Sequence, residues 1–132
     1  MNLFRKKQTV SVATYKADPT SITPQTFEDY IKRGYAYHAR QEYAPADEDF
    51  RKAISMDSSS TEAYYALGLN LKAQNRKEEA TKAFQQALNF MNALEEKDTV
   101  RAHMLTRLTK GHINQLAKGD WDLRKEFWGS DK

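Results

Sequence analysis

The chain has 132 residues, 30% of them charged and 39% hydrophobic, with a net charge of +3. That length suits one globular domain, and the composition excludes a disordered or membrane-spanning chain. No cysteine is present, so disulfides and thiolate metal sites are excluded as well.

In chain order, residues 1–23 read as an N-terminal tail, expected to be flexible, in which Thr9 to Tyr15 alternates weakly like a strand with no strand to pair with. The charged MNLFRKKQ start has no apolar stretch behind it, unlike a secretory signal, and a cytoplasmic protein is the expectation. Thr23 is a candidate N-cap and Pro24 fits a first helical turn. The first helix is predicted from Pro24 to Arg40 and the second from Ala44 to Met56. In the second, the acidic triplet Asp47, Glu48 and Asp49 reads as charge complementing the helix dipole. Ser59 with Glu62 has capping-box spacing and opens a third helix to Gln74; Asn75 with Glu78 has the same spacing and opens a fourth to Asn92. A fifth helix is predicted from Asp98 to Ala117, with Val100, Met104, Leu105, Leu108 and Leu116 on one side, followed by a turn at Gly119 and Asp120. Trp121 to Trp128 reads as a short last helix, and residues 129–132 as a tail.

Superimposing the sequence on itself with an offset of 34 residues makes a pattern recur. Glu62, Tyr64, Gly68, Ala73, Ala80, Phe84 and Ala87 fall on Glu28, Tyr30, Gly34, Ala39, Ala46, Phe50 and Ala53, all identical. Leu71 falls on Tyr37 and Leu88 on Ile54. A fixed period of this length signals a repeat architecture. Gly34 and Gly68, each inside a helix, imply a close approach there, with Ala46 and Phe50 or Ala80 and Phe84 opposite.

The pattern resembles the tetratricopeptide repeat, a helix-turn-helix unit of about 34 residues. Tyr30, Gly34, Tyr37, Ala46, Phe50 and Ala53 carry the first copy; Tyr64, Leu67, Gly68, Leu71, Ala80, Phe84 and Ala87 carry the second. Arg33 departs from it, standing where the second copy has Leu67, and so do Ser58 and Asn92, standing where a closing proline is common. The resemblance implies an all-α solenoid over residues 24–128. Units at 27–60 and 61–94 are regular, and 95–128 is a degenerate capping helix pair.

It also implies a protein-interaction module whose first helices line a concave groove for a peptide or an amphipathic helix of a partner. Carried onto this chain, the groove positions are Glu28, Ile31, Tyr35, His38 and Ala39, then Glu62, Tyr65, Leu69, Lys72 and Ala73. From the next helix they are Thr99, His103, Thr106 and Arg107. Of these, Ile31, Tyr35, His38, Tyr65, Leu69, Lys72, His103 and Arg107 are the candidate binding residues. The family's carboxylate-binding set is not matched, since Ile31, Tyr35 and Ala66 stand at its positions, and a more apolar ligand suits the groove.

No catalytic or cofactor-binding motif emerges. His103 and His112, nine residues apart, fall on opposite sides of one helix, His38 lies in another unit, and the five glycines are too scattered for a phosphate loop. The charge is nearly even along the chain, with 9 basic and 9 acidic residues in 1–66 against 12 and 9 in 67–132, which argues against nucleic-acid and membrane partners. A homodimer that buries the groove with Trp121, Phe127 and Trp128 is the alternative to partner binding. A nucleic-acid binder using the basic fifth helix, and an enzyme whose site leaves no sequence trace, are the remaining ones.

Overall fold

The computed structural model describes residues 18–21, 23–94 and 99–121. Five α-helices follow one another, and no strand occurs among the described residues. They are α1 (Phe27–Ala39), α2 (Tyr43–Met56), α3 (Thr61–Ala73), α4 (Lys77–Leu94) and α5 (Thr99–Lys118). Most of the expected N-terminal tail, all of the helix expected over Trp121 to Trp128 beyond its first residue, and the C-terminal tail lie outside the described residues. Each helix packs on the next, and α1 also touches α3. This places α1, α3 and α5 in one layer with α2 and α4 behind them, an all-α stack of helix pairs.

The starts of α1 and α3 are set by side chains that satisfy the first free backbone N–H groups, whereas α2 begins without a side-chain cap. Thr26, three residues beyond the expected Thr23, caps α1. Its Oγ1 accepts from the Asp29 N–H at 3.1 Å while the Asp29 carboxylate accepts from the backbone N–H groups of Thr26 and Gln25. That reciprocal box holds the start at Phe27 and leaves Pro24 outside the helix, buried. Ser60, rather than Ser59, caps α3 by accepting from the Ala63 N–H at 3.1 Å. Ser59 instead closes a turn with the Asp57 carboxylate.

Asn75 is a helix terminator and not the expected cap. It has φ +62, as does Gln41 at the same place 34 residues earlier. In both turns the following N–H reaches back five residues, Glu42 to the Tyr37 carbonyl and Arg76 to that of Leu71, while Gln41 and Asn75 themselves donate to the His38 and Lys72 carbonyls. This is the Schellman arrangement, built twice without glycine.

Small residues, two phenylalanines, Ile31, Leu67 and Leu71 make the core. Ala46, Phe50, Ala53, Ala80, Phe84 and Ala87 are all fully buried. A Cβ added at Gly34 would lie 2.5 Å from Phe50 Cε1, and one at Gly68 would lie 2.6 Å from Phe84 Cδ1. The two glycines are therefore sockets for the two rings.

The acidic triplet of α2 does not lie in the first helical turn. Asp49 is buried and takes Arg33 Nε and Nη2 in two hydrogen bonds of 2.9 Å each, with the guanidinium also over the Tyr30 and Tyr37 rings; Asp47 pairs with Arg51 one turn on. A specific ion pair inside the first unit thus replaces the dipole explanation for Asp49, and it accounts for Arg33.

The fifth helix turns a different side inward from the one expected, apart from Leu116. Ala102 and Thr109 are buried, and Ile113 and Leu116 pack on the core, whereas Val100, Met104 and Leu108 are exposed. Thr106 Oγ1 donates to Met91 Sδ at 2.8 Å and Thr109 Oγ1 to the Leu105 carbonyl, so hydroxyls as well as methyls fit against α4. The register follows from helix length. With 18 residues, α4 is one turn longer than the 14-residue α2, so α5 begins a turn lower and needs another turn to climb back.

Candidate functional site

The face shared by α1, α3 and α5 holds two polar networks on an aromatic floor. The floor is Tyr35 edge-on to Phe50 at 5.3 Å between ring centres, Tyr65 tilted on Phe84 at 5.8 Å, and His112 stacked flat on Phe84 at 5.0 Å. Leu69 packs against the core between these elements, half-buried.

The first network joins α1 to α3. Asn70, fully buried, donates its Nδ2 to the Tyr43 carbonyl at 2.9 Å, which turns its Oδ1 toward His38 Nδ1, also at 2.9 Å. An amide oxygen only accepts, so His38 carries its proton on Nδ1 and keeps Nε2 as an acceptor.

The second network joins α3 to α5. Lys72 Nζ donates to His112 Nδ1 at 2.8 Å and to Gln115 Oε1, and it lies 5.8 Å from the centre of the Trp121 ring. An ammonium only donates, so His112 carries its proton on Nε2 and gives it to Tyr65 Oη at 3.2 Å. The Tyr65 hydroxyl is thereby left as a donor. Burial, helped by the Lys72 charge, lowers the His112 pKa to about 4, which keeps the ring neutral. Burial also lowers the Lys72 pKa and raises that of the Tyr65 phenol. Burial, with Glu62 and Tyr65 nearby, raises that of Tyr35. Trp121 closes this end by resting edge-on to His112 and against Gly111, where a Cβ would collide with its indole.

Of the candidate binding residues, Tyr35, His38, Tyr65, Leu69 and Lys72 lie on this face, half-buried. Ile31 is 4% exposed and belongs to the core. His103 and Arg107 are exposed, and it is His112 and Gln115 that come to Tyr65 and Lys72. Those two partners lie two to three turns beyond the residues that a strict 34-residue offset selects. The signal that could have found them is the long fourth helix, since a turn added to α4 and a turn added to α5 raise the offset to about 42. Lys72 in fact meets residues 40 and 43 positions on.

Chemically, the face offers apolar rings, two donors at Tyr65 and Lys72, and one imidazole acceptor at His38. Among the described residues, no group of three metal-ligating side chains comes together. No helix among them is long and apolar enough to cross a membrane. A shallow depression of 380 Å³ between α4 and α5 is lined by Lys77, Glu78, Thr81, Lys82, Gln85, Leu116 and Ala117.

Two tetratricopeptide-repeat family models match, one at residues 30–60 and one at residues 61–93. A curated relative, an E3 ubiquitin-protein ligase CHIP from Arabidopsis thaliana, is 26% identical over 89 residues, which are 67% of this chain and 32% of that protein. The chain thus spans less than a third of the length of that relative. No solved structure matches the chain.

Proposed function

The chain belongs to the tetratricopeptide-repeat family, and from that premise we propose that it is an interaction module that holds a peptide or an amphipathic helix of a partner protein on the α1, α3 and α5 face. Repeats of this family generally mediate protein–protein interaction and are typically non-enzymatic. The observation that carries the reading is the coexistence of Tyr35, Tyr65 and Leu69 with the oriented Tyr65 hydroxyl, Lys72 and His38 on one face. Apolar area supplies affinity there, and the fixed donors and acceptor supply register.

A displayed peptide library selected against the full chain tests this. Selected peptides should bind about tenfold or more weakly to the Leu69→Ala and Lys72→Gln variants, each checked for native helix content. Peptides that bind both variants like the wild type would refute it. Light scattering over a range of concentrations addresses self-association: a dimer that dissociates in the same variants would mean that the face serves a second copy.

A further inference from the structure

We propose that Gly111, His112 and Lys72 form an aromatic-binding subsite at the α3 and α5 end of the groove, that Trp121 occupies it as an internal ligand, and that an aromatic side chain of the partner takes its place. This deepens the reading of the groove as a peptide site, and rests on it. Three glycines of the chain each hold a ring: Gly34 meets Phe50, Gly68 meets Phe84 and Gly111 meets Trp121. Gly111 follows Gly68 by 43 residues, the same offset at which Gln115 meets Lys72. In that register Ala63, Ala66 and Asn70, buried on α3, correspond to Thr106, Thr109 and Ile113, which face inward on α5. The third socket is thus the same device in a longer unit.

Its ring is held differently. Phe50 and Phe84 are fully buried in the middle of α2 and α4, 16 residues after their glycines. Trp121 is half-buried, stands 10 residues after Gly111, and follows an exposed turn in which Gly119 has φ +86. At the regular 16-residue step stands Phe127. A ring that lies outside α5, beyond a surface turn and out of the repeat's register, leaves its socket without opening the helix pairs.

The surroundings define what replaces it. Without a Cβ at Gly111 a flat ring lies against the α5 backbone, whereas an added Cβ would collide with Cε2, Cζ2 and Nε1 of the indole. The His112 ring stands edge-on at 4.8 Å between centres, and the Lys72 ammonium lies 5.8 Å from the ring centre. Both contacts favour a π system over an aliphatic chain. Lys72 and His112 also belong to the network that orients the Tyr65 hydroxyl, so the subsite is continuous with the rest of the groove.

The first test follows Trp121 in the full chain carrying Trp128→Phe, where it is the only tryptophan. Library-selected peptides that contain phenylalanine should shift its emission to the red on binding, because the indole moves from its socket into water. The same peptides with alanine for phenylalanine should bind about tenfold more weakly and leave the emission unchanged. The second test uses Trp121→Ala, checked for native helix content. With the internal ligand gone, the phenylalanine peptides should bind about tenfold more tightly than to the wild type. N-acetyl-tryptophanamide alone should bind this variant saturably and restore the ring-current shift of the His112 protons; adding Gly111→Ala should abolish that binding. Peptides that need Leu69 and Lys72, yet neither shift the Trp121 emission nor gain from Trp121→Ala, would overturn the proposal and leave the groove reading standing. Absence of any peptide that needs Leu69 and Lys72 would overturn both. The proposal also fails if N-acetyl-tryptophanamide binds only once Phe127→Ala is added, which makes the chain's own ring the occupant, or if Trp121→Ala dissolves a dimer, which makes it a second copy.

Discussion

Arg33 holds the Asp49 carboxylate through two hydrogen bonds in the first repeat, at the positions where the second repeat has Leu67 and Ala83. The two repeats thus solve one packing problem in two ways, by an ion pair and by an apolar pair. Removing only the cation leaves a buried carboxylate without its partner, and Arg33→Leu should cost about 2–4 kcal/mol in urea unfolding. The double variant Arg33→Leu/Asp49→Ala copies the second repeat and should recover most of that loss. A double variant as unstable as the single one would show that the rings of Tyr30 and Tyr37 need the guanidinium more than Asp49 does.

The glycine sockets make a second test with an unusual sign. In an open helix, Gly→Ala stabilises by about 1 kcal/mol. At Gly68 the added Cβ would meet the Phe84 ring at 2.6 Å, inside a core that has no slack, and the variant should lose about 1–3 kcal/mol. Gly119 provides the contrast. Nothing lies near its missing Cβ, but φ is +86, so Gly119→Ala should cost about 1 kcal/mol through backbone strain alone. Thermal melts should rank Gly119→Ala above Gly68→Ala in stability.

His112 gives the fold a pH dependence of defined direction. Its pKa falls from 6.5 in the unfolded chain to about 4 in the folded one, chiefly through burial and then through Lys72. The unfolded state therefore takes up the proton first as pH falls. The stabilisation is complete above pH 6.5 and is lost progressively toward pH 4. Because the ring is half-buried, solvent screening reduces the effect to about 1–2 kcal/mol. His112→Gln should flatten the stability profile between pH 7 and 5, where the carboxylates contribute least; an unchanged slope would place the titrating group elsewhere.

What was legible in the sequence was what repeats. Gly34 with Phe50 and Gly68 with Phe84 recur at one spacing because a socket and its ring must be kept together, so the unit and its core could be read directly. The caps of α1 and α3 were read within three residues, since Thr23 and Thr26, or Ser59 and Ser60, are chemically alike and only the backbone angles choose between them; Asn75, expected to cap α4, instead ends α3. The inward side of α5 was misread because apolar spacing alone selected Val100 and Met104, while the structure buries Thr109 and satisfies its hydroxyl within the helix. The pairing of Lys72 with His112 depends on the length of α4, a relation between distant segments that no local pattern records.

Asn70 decides how the other half of the site presents itself. A fully buried amide with both ends engaged resists replacement: Asn70→Leu strips the Tyr43 carbonyl of its donor and His38 of its acceptor, and should cost about 1–3 kcal/mol. Stability alone would not distinguish this role from packing, but the imidazole tautomer does. In the native chain, nitrogen NMR should show His38 protonated at Nδ1 and His112 at Nε2, opposite assignments on one face. Asn70→Leu should abolish the His38 preference and leave His112 untouched, because Lys72 fixes that ring independently. If His38 kept its Nδ1 proton without Asn70, the acceptor at Nε2 would owe its orientation to the edge contact with Tyr43, 5.6 Å between ring centres. The polarity of the groove would then be a property of α1 and α2 alone.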